Sequence, residues 1–137
     1  MKVILDTCVW SEFFRGAGSA DSPIRAEVRG LIRAGSVQML GCIRQELLSG
    51  AQPDERFLRL RDYLRFFPNL PVDAEDDEYA AKCYNICRSK GIQGGMFDLL
   101  ICAQSIRHQL KVFTIDSDFE RFAAHLPIEL HSPSRRR

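Results

Sequence analysis

Apolar and polar positions follow two periods along the chain, and the changeovers between them mark the elements. Residues 2–5 read as a short buried strand, whose apolar run Val3-Ile4-Leu5 stops at Asp6. Residues 7–14 then repeat apolar side chains at helical spacing, so the chain opens strand, acid, helix. Asp21-Ser22-Pro23 supplies a cap and a first-turn proline, and Ile24, Val28, Leu31 and Ile32 recur on one helix face until Gly35. Residues 36–40 predict a brief strand and 41–48 a helix closed by Gly50, with Glu46 inside it. Residues 54–67 are amphipathic: Phe57, Leu58, Leu60, Tyr63, Leu64 and Phe67 oppose Arg56, Arg59, Arg61 and Arg65, and Pro68 ends the helix.

A short strand at 70–72 precedes the acid run 73–78, whose carboxylates favour the positive end of the helix that follows through Tyr79, Ala80, Cys83, Ile86 and Cys87. Residues 96–108 are nearly all apolar, with Asp98, Gln104 and Ser105 the polar residues before the closing Arg107 and His108, the pattern of a helix buried on most sides. A strand at 111–115 ends at Asp116, a helix spans 118–125, and a last strand lies near 128–130. Ser117 and Glu120 have the spacing of a capping box, which predicts a helix start at Ser117 with Asp116 left on the strand end and Asp118 in the first turn. Strands alternating with helices predict an α/β domain of three layers, with a central parallel sheet between helices. Residues 1–131 are expected to form a single domain, and 132–137, which end in three arginines, a basic mobile tail.

Composition narrows the class without deciding the activity. A chain of 137 residues with 45% hydrophobic and 27% charged residues is globular and long enough to bury about two thirds of its unfolded surface. The net charge of +1 neither demands nor excludes a nucleic acid. Arginines outnumber lysines heavily, which suits phosphate or carboxylate recognition. No apolar run approaches the roughly 18 residues needed to cross a bilayer, and the apolar start is far too short for a signal-peptide core. Five cysteines without a C-x-x-C pair read as reduced, buried thiols, so a cytoplasmic location without a membrane is expected, and a zinc site is not.

The chemistry lies in four acids. Asp6 ends the first strand, Glu46 sits in an apolar helix, Asp98 opens the most apolar helix, and Asp116 ends the late strand. The surrounding pattern predicts burial for all four, and an unpaired buried carboxylate either protonates or finds a cation. No Lys or Arg is placed to neutralise them, whereas one or two hard divalent ions would. In an open parallel sheet the ligand crevice lies beyond the C-terminal strand ends, where Asp6 and Asp116 fall. Each acid also has a local reading: Asp6 and Asp116 as helix caps, Asp98 as a helix-dipole partner, Glu46 as a solvated side chain.

Residues 1–15, Arg44-Gln-Glu-Leu-Leu48, Phe97-Asp-Leu-Leu-Ile-Cys-Ala-Gln-Ser105 and Thr114-Ile-Asp-Ser-Asp-Phe119 resemble, in order, the four motif regions of PIN-domain ribonucleases, and VapC-type toxins above all. The resemblance spans nearly the whole chain. It implies a Mg²⁺- or Mn²⁺-dependent endoribonuclease, usually a homodimer, inhibited by a cognate antitoxin protein. Asp6, Glu46, Asp98 and Asp116 would be the catalytic acids, with Asp6, Asp98 and Asp116 on the metal, Thr7 a hydroxyl near it and Asp118 an auxiliary acid. Cys8 departs from the small residue, often Ser, usual at its position, and the Gly94-Gly95-Met96-Phe97 approach to Asp98 is glycine-rich. Arg15, Arg44 and Arg88 are candidate contacts to RNA phosphates.

Two other classes fit parts of the pattern. An acid closing the first strand also serves aspartyl-phosphate phosphatases and receivers, although Cys8 stands where a second Asp is wanted. A non-catalytic interaction module on the same fold is the other, and four retained acids weigh against it.

Overall fold

The computed structural model describes residues 1–15 and 22–133. The cap residue Asp21 and most of the tail at 132–137 therefore lie outside the described residues.

Among the described residues the order is β1 (Val3–Leu5), α1 (Thr7–Phe14), α2 (Pro23–Arg33), β2 (Val37–Leu40), α3 (Gly41–Leu48), α4 (Asp54–Leu64), β3 (Asn69–Leu70), α5 (Ala74–Ser89), α6 (Met96–Arg107), β4 (Lys111–Phe113), α7 (Asp118–Ala123) and β5 (Glu129–Leu130). The five strands form one sheet in the order β3-β2-β1-β4-β5, parallel throughout. Val3 pairs with Val37 on one side and with Lys111 on the other, which puts β1 at the centre. The chain builds outward from β1 to β3, crosses back through α5 and α6, and resumes at β4 on the opposite side. The order thus reverses between β1 and β4, and a sheet of this kind opens its ligand crevice beyond the strand ends at such a reversal.

Local chemistry explains the elements. Ser22 caps α2 by accepting the Arg25 N–H at 3.1 Å, with Pro23 in the first helical position. Gly35 and Gly50 end the turns after α2 and α3 at φ +66° and +81°, conformations that cost glycine no side-chain clash. Val3, Ile4 and Leu5 are all buried, as a central parallel strand requires, and pack with Val9, Trp10, Leu40, Ile43, Leu99, Ile101, Val112 and Phe113. Arg44 donates to Asn69 Oδ1 and to the Leu64 carbonyl, both at 2.9 Å, and to the Phe67 carbonyl, closing the end of α4.

The acid run before α5 has the structural role its position predicts. Asp73 and Asp76 form a reciprocal capping box, with Asp73 Oδ1 accepting the Asp76 N–H at 2.8 Å. Burial alone would lift the Asp76 carboxyl, but the Asp73 N–H, Arg107 and His108 hold it below its usual range. Arg107, at the end of α6, also binds Asp73 at 2.9 Å and Glu75 at 2.8 Å. The network ties the far end of α6 to the start of α5. It fixes the helix whose other end carries Asp98.

Four boundaries differ by two residues or more from the pattern reading, one of them the 118–125 helix, which ends at Ala123. The late strand stops at Phe113 rather than Ile115, the early one at 70–72 shrinks to Asn69–Leu70, and the 54–67 helix ends at Leu64. Beyond Phe113 the Thr114 hydroxyl accepts the Asp116 N–H, so a side chain replaces the ladder partner.

Candidate active site

Asp6 follows β1 directly and does two things at once. Its Oδ1 accepts the Thr7 N–H at 2.9 Å and so caps α1, while its Oδ2 accepts the Thr114 hydroxyl at 2.7 Å. Cys8 Sγ lies 3.4 Å from the same Oδ2 and 3.5 Å from Thr114 Oγ1. Burial pushes the Cys8 thiol up, so it stays protonated and serves as a donor.

The other acids converge on Asp6 from three helices or their approaches. Glu46 projects from α3, and its Oε1 accepts the Thr7 hydroxyl at 3.4 Å. Asp98 stands in the first turn of α6. Asp116 precedes α7. Their mutual proximity shows in their acidity: burial first, and then the charges of Asp6, Asp116 and Glu46, push the Asp98 carboxyl up to about 6. Burial and then Asp6 raise Glu46 as well, against the bond from Thr7. Asp6, Glu46, Asp98 and Asp116 therefore form one electrostatic unit at the crevice between β1 and β4.

Burial of all four does not hold. Asp6 alone is buried, Asp98 is half-buried, and Glu46 and Asp116 are exposed. Helical and strand periodicity reports which face meets the sheet, and these three side chains point past the sheet end into an open crevice, which periodicity cannot see. A cleft of about 390 Å³ there is lined by Glu46, Gly95, Met96, Phe97 and Asp98.

The glycine-rich approach has a steric cause. A Cβ on Gly94 would lie 2.5 Å from Leu99 Cδ2 and 2.8 Å from Phe122 Cζ, so any other residue there would have to push those buried side chains aside. A Cβ on Gly95 would come 3.5 Å from Asp98 Oδ2, and its absence leaves that oxygen open to the cleft.

The capping box at Ser117 does not form. Ser117 is helical in its own backbone and makes no side-chain cap bond; Asp116 Oδ1 accepts the Asp118 N–H at 2.9 Å instead. The shorter strand leaves Asp116 in the loop, where its own carboxylate reaches the first free N–H of α7. Asp118 is in the first turn, as the pattern predicts, and is bound by Arg121. The local and the chemical readings of these acids thus coexist, since Asp6 and Asp116 are helix caps and members of the cluster.

The three arginines expected to meet phosphate are dispersed. Arg44 departs from that expectation because its guanidinium is taken up by Asn69, Leu64 and Phe67. Arg15 is exposed and pairs with Glu12 at 3.4 Å, and Arg88 lies over the Tyr84 ring at 5.6 Å. Sequence reasoning missed Thr114, which carries no charge; its place two residues before Asp116 at a strand end was the available signal.

The donor set fits a hard divalent cation. It offers carboxylate oxygens, burial and then the like charges raise Asp98, and Gly95 leaves a gap beside Asp98 Oδ2. Among the described residues no group of three His, Cys, Asp or Glu side chains is set closely enough to hold a metal ion. An ion held here would keep several of its waters, as Mg²⁺ commonly does. Among these residues, too, no helix is long and apolar enough to cross a membrane.

Comparison with known proteins agrees with the fold. The family model described as PIN domain matches residues 3–125. The ribonuclease VapC11 of Mycobacterium tuberculosis is 34% identical over 125 residues, covering 88% of this chain and 91% of that protein. The FitAcB structure from Neisseria gonorrhoeae superposes with a TM-score of 0.77 at 23% identity, over 96% of this chain and 97% of its own. VapBC2 of Rickettsia felis, solved bound to a DNA fragment from its promoter, gives 0.78 at 18% identity over 96% and 98%.

Proposed function

This chain belongs to the PIN-domain family, and from that premise we propose that it is a Mg²⁺- or Mn²⁺-dependent endoribonuclease toxin, neutralised by a cognate antitoxin protein. The observation that carries this reading is the cluster of Asp6, Glu46, Asp98 and Asp116, in which burial and then the three neighbouring charges lift Asp98 to about 6. The ribonuclease name of a relative at 34% identity supports the substrate class.

Asp6, Asp98 and Asp116 would hold the cation, with Asp6 fixed by its bonds to Thr7 and Thr114. When bound, the ion eases deprotonation of a water and offsets negative charge developing on the phosphate oxygens. The Glu46 carboxylate, made more basic by burial and by Asp6, receives the proton of the attacking water, and the Thr7 hydroxyl orients it. Arg15 and Arg88 are exposed and are the arginines proposed to contact RNA phosphates. An aspartyl-phosphate route is disfavoured because both Asp6 oxygens already accept hydrogen bonds.

The protein is proposed to act in the cytoplasm as a homodimer. Phe66 at 79% exposure and Leu58 at 38%, beside the arginines of α4, are apolar surface of the kind partners cover. Purified protein incubated with varied RNAs, with and without Mn²⁺, tests the function. Mapped cuts that appear only with the ion support it, and intact RNA throughout contradicts it.

The two late acids should separate. Asp116→Asn is expected to weaken Mn²⁺ binding and cleavage more than Asp118→Asn, whose carboxylate is engaged by Arg121 and whose loss should stay within about 10- to 100-fold. Parallel Mn²⁺ titrations and cleavage rates check this, and the reverse order would reassign the fourth acid to Asp118.

A further inference from the structure

We propose that Thr114 is a positioning residue of the acid cluster: its hydroxyl holds the Asp6 carboxylate and the Asp116 backbone in one arrangement, so that both acids serve one cation. The inference rests on the ribonuclease reading and extends it to an uncharged side chain.

Thr114 is the first residue beyond β4. Its Oγ1 donates to Asp6 Oδ2 at 2.7 Å and accepts the Asp116 N–H at 3.0 Å. A hydroxyl has one proton to give and lone pairs to receive, so both bonds form at once. One oxygen therefore links the ends of β1 and β4, the two strands between which the sheet order reverses. A short O–H···O⁻ bond is about twice as strong as a neutral one, so this contact governs how the Asp6 carboxylate is turned. The Cys8 thiol reaches the same Oδ2 from 3.4 Å and is the weaker donor.

Asp116 needs the hold more. Its segment has left the strand ladder and is exposed, and its Oδ1 is already committed to the Asp118 N–H. Its carbonyl accepts the Phe119 N–H at 3.2 Å, and the bond from its own N–H to Thr114 is what ties that backbone to the end of β4 and aims the remaining oxygen. Side-chain packing is a separate matter, because a branched apolar residue of similar shape would fill the space equally well.

Three forms of the full chain separate the hydroxyl from the volume: wild type, Thr114→Val and Thr114→Ser. Free Mn²⁺ is followed by its paramagnetic resonance signal during titration without RNA, and cleavage of one RNA is measured separately. Thr114→Val should weaken Mn²⁺ binding about 10- to 100-fold and lower kcat by a similar factor with KM little changed, the range usual for residues that orient metal ligands. Thr114→Ser should return both to within a few-fold of wild type, and Cys8→Ala should lose less than Thr114→Val. If Thr114→Val does not fold, Thr114→Ala takes its place against Thr114→Ser. A hydroxyl-free variant that binds Mn²⁺ and cuts RNA like wild type, or a folded Thr114→Ser as impaired as Thr114→Val, overturns the proposal. Wild type that neither binds Mn²⁺ nor cuts any RNA overturns the ribonuclease reading itself, and this inference with it.

Discussion

Asp98→Asn is expected to lower RNA cleavage by roughly 10²- to 10³-fold or more while leaving the apo protein as stable as wild type or more so at neutral pH. The substitution removes one charge at nearly constant volume. Burial and the neighbouring charges of Asp6, Asp116 and Glu46 lift the folded carboxyl to about 6, whereas an unfolded Asp titrates near 3.9. Between those values the folded state binds more protons than the unfolded one, so stability falls as pH rises from about 4 to about 6. Discounted for the solvent exposure of a half-buried group, the ionised carboxylate costs about 1 kcal/mol above pH 6. Asn should recover that amount. Urea midpoints at pH 7.5 should favour the variant, and the advantage should vanish at pH 4, where Asp98 is protonated in the folded state. A variant unfolded at both pH values would mean that Asp98 holds the fold rather than the chemistry.

Divalent cations should raise the melting temperature, because an ion that binds only the folded cluster stabilises it by mass action. At a free concentration a hundred times its Kd the gain is about 2.7 kcal/mol. For a domain of this size that amounts to about 10 °C. Melts in chelator and in millimolar Mn²⁺ check this, with NaCl at matched ionic strength as the control for screening, since monovalent salt relieves the repulsion without occupying the cluster. The shift should shrink in Asp98→Asn. Coincident melts in chelator and Mn²⁺ would mean that the carboxylates bind no ion.

The layers and the parallel sheet were legible because burial leaves a period in the sequence, as in Val3-Ile4-Leu5 and the 96–108 run, whereas the strand order was not read from it. The acids were legible as positions. Their exposure was not, because Glu46 and Asp116 look into a crevice created by strands distant in sequence, and neighbours along the chain say nothing about it. Ser117 failed as a cap because its own backbone is helical, so the Glu120 N–H goes to its carbonyl rather than its hydroxyl, while Asp116 takes the Asp118 N–H. Arg44 looked like a phosphate ligand because a lone arginine on a helix gives no hint of the carbonyls at Leu64 and Phe67 that occupy it. Thr114 escaped notice because hydroxyls are common at strand ends, and only the fold brings it within 2.7 Å of a residue 108 positions away.

The most direct test of a cation-assisted hydrolysis at these four acids is the chemistry of the new RNA ends when cleavage is run in ¹⁸O-labelled water, with Mn²⁺ or with chelator. Attack by water on phosphorus should place one ¹⁸O in each new terminal phosphate, read by mass spectrometry, and chelator should stop the reaction. Fragments ending in unlabelled 2′,3′-cyclic phosphate, or cutting that continues unchanged in chelator, would contradict it.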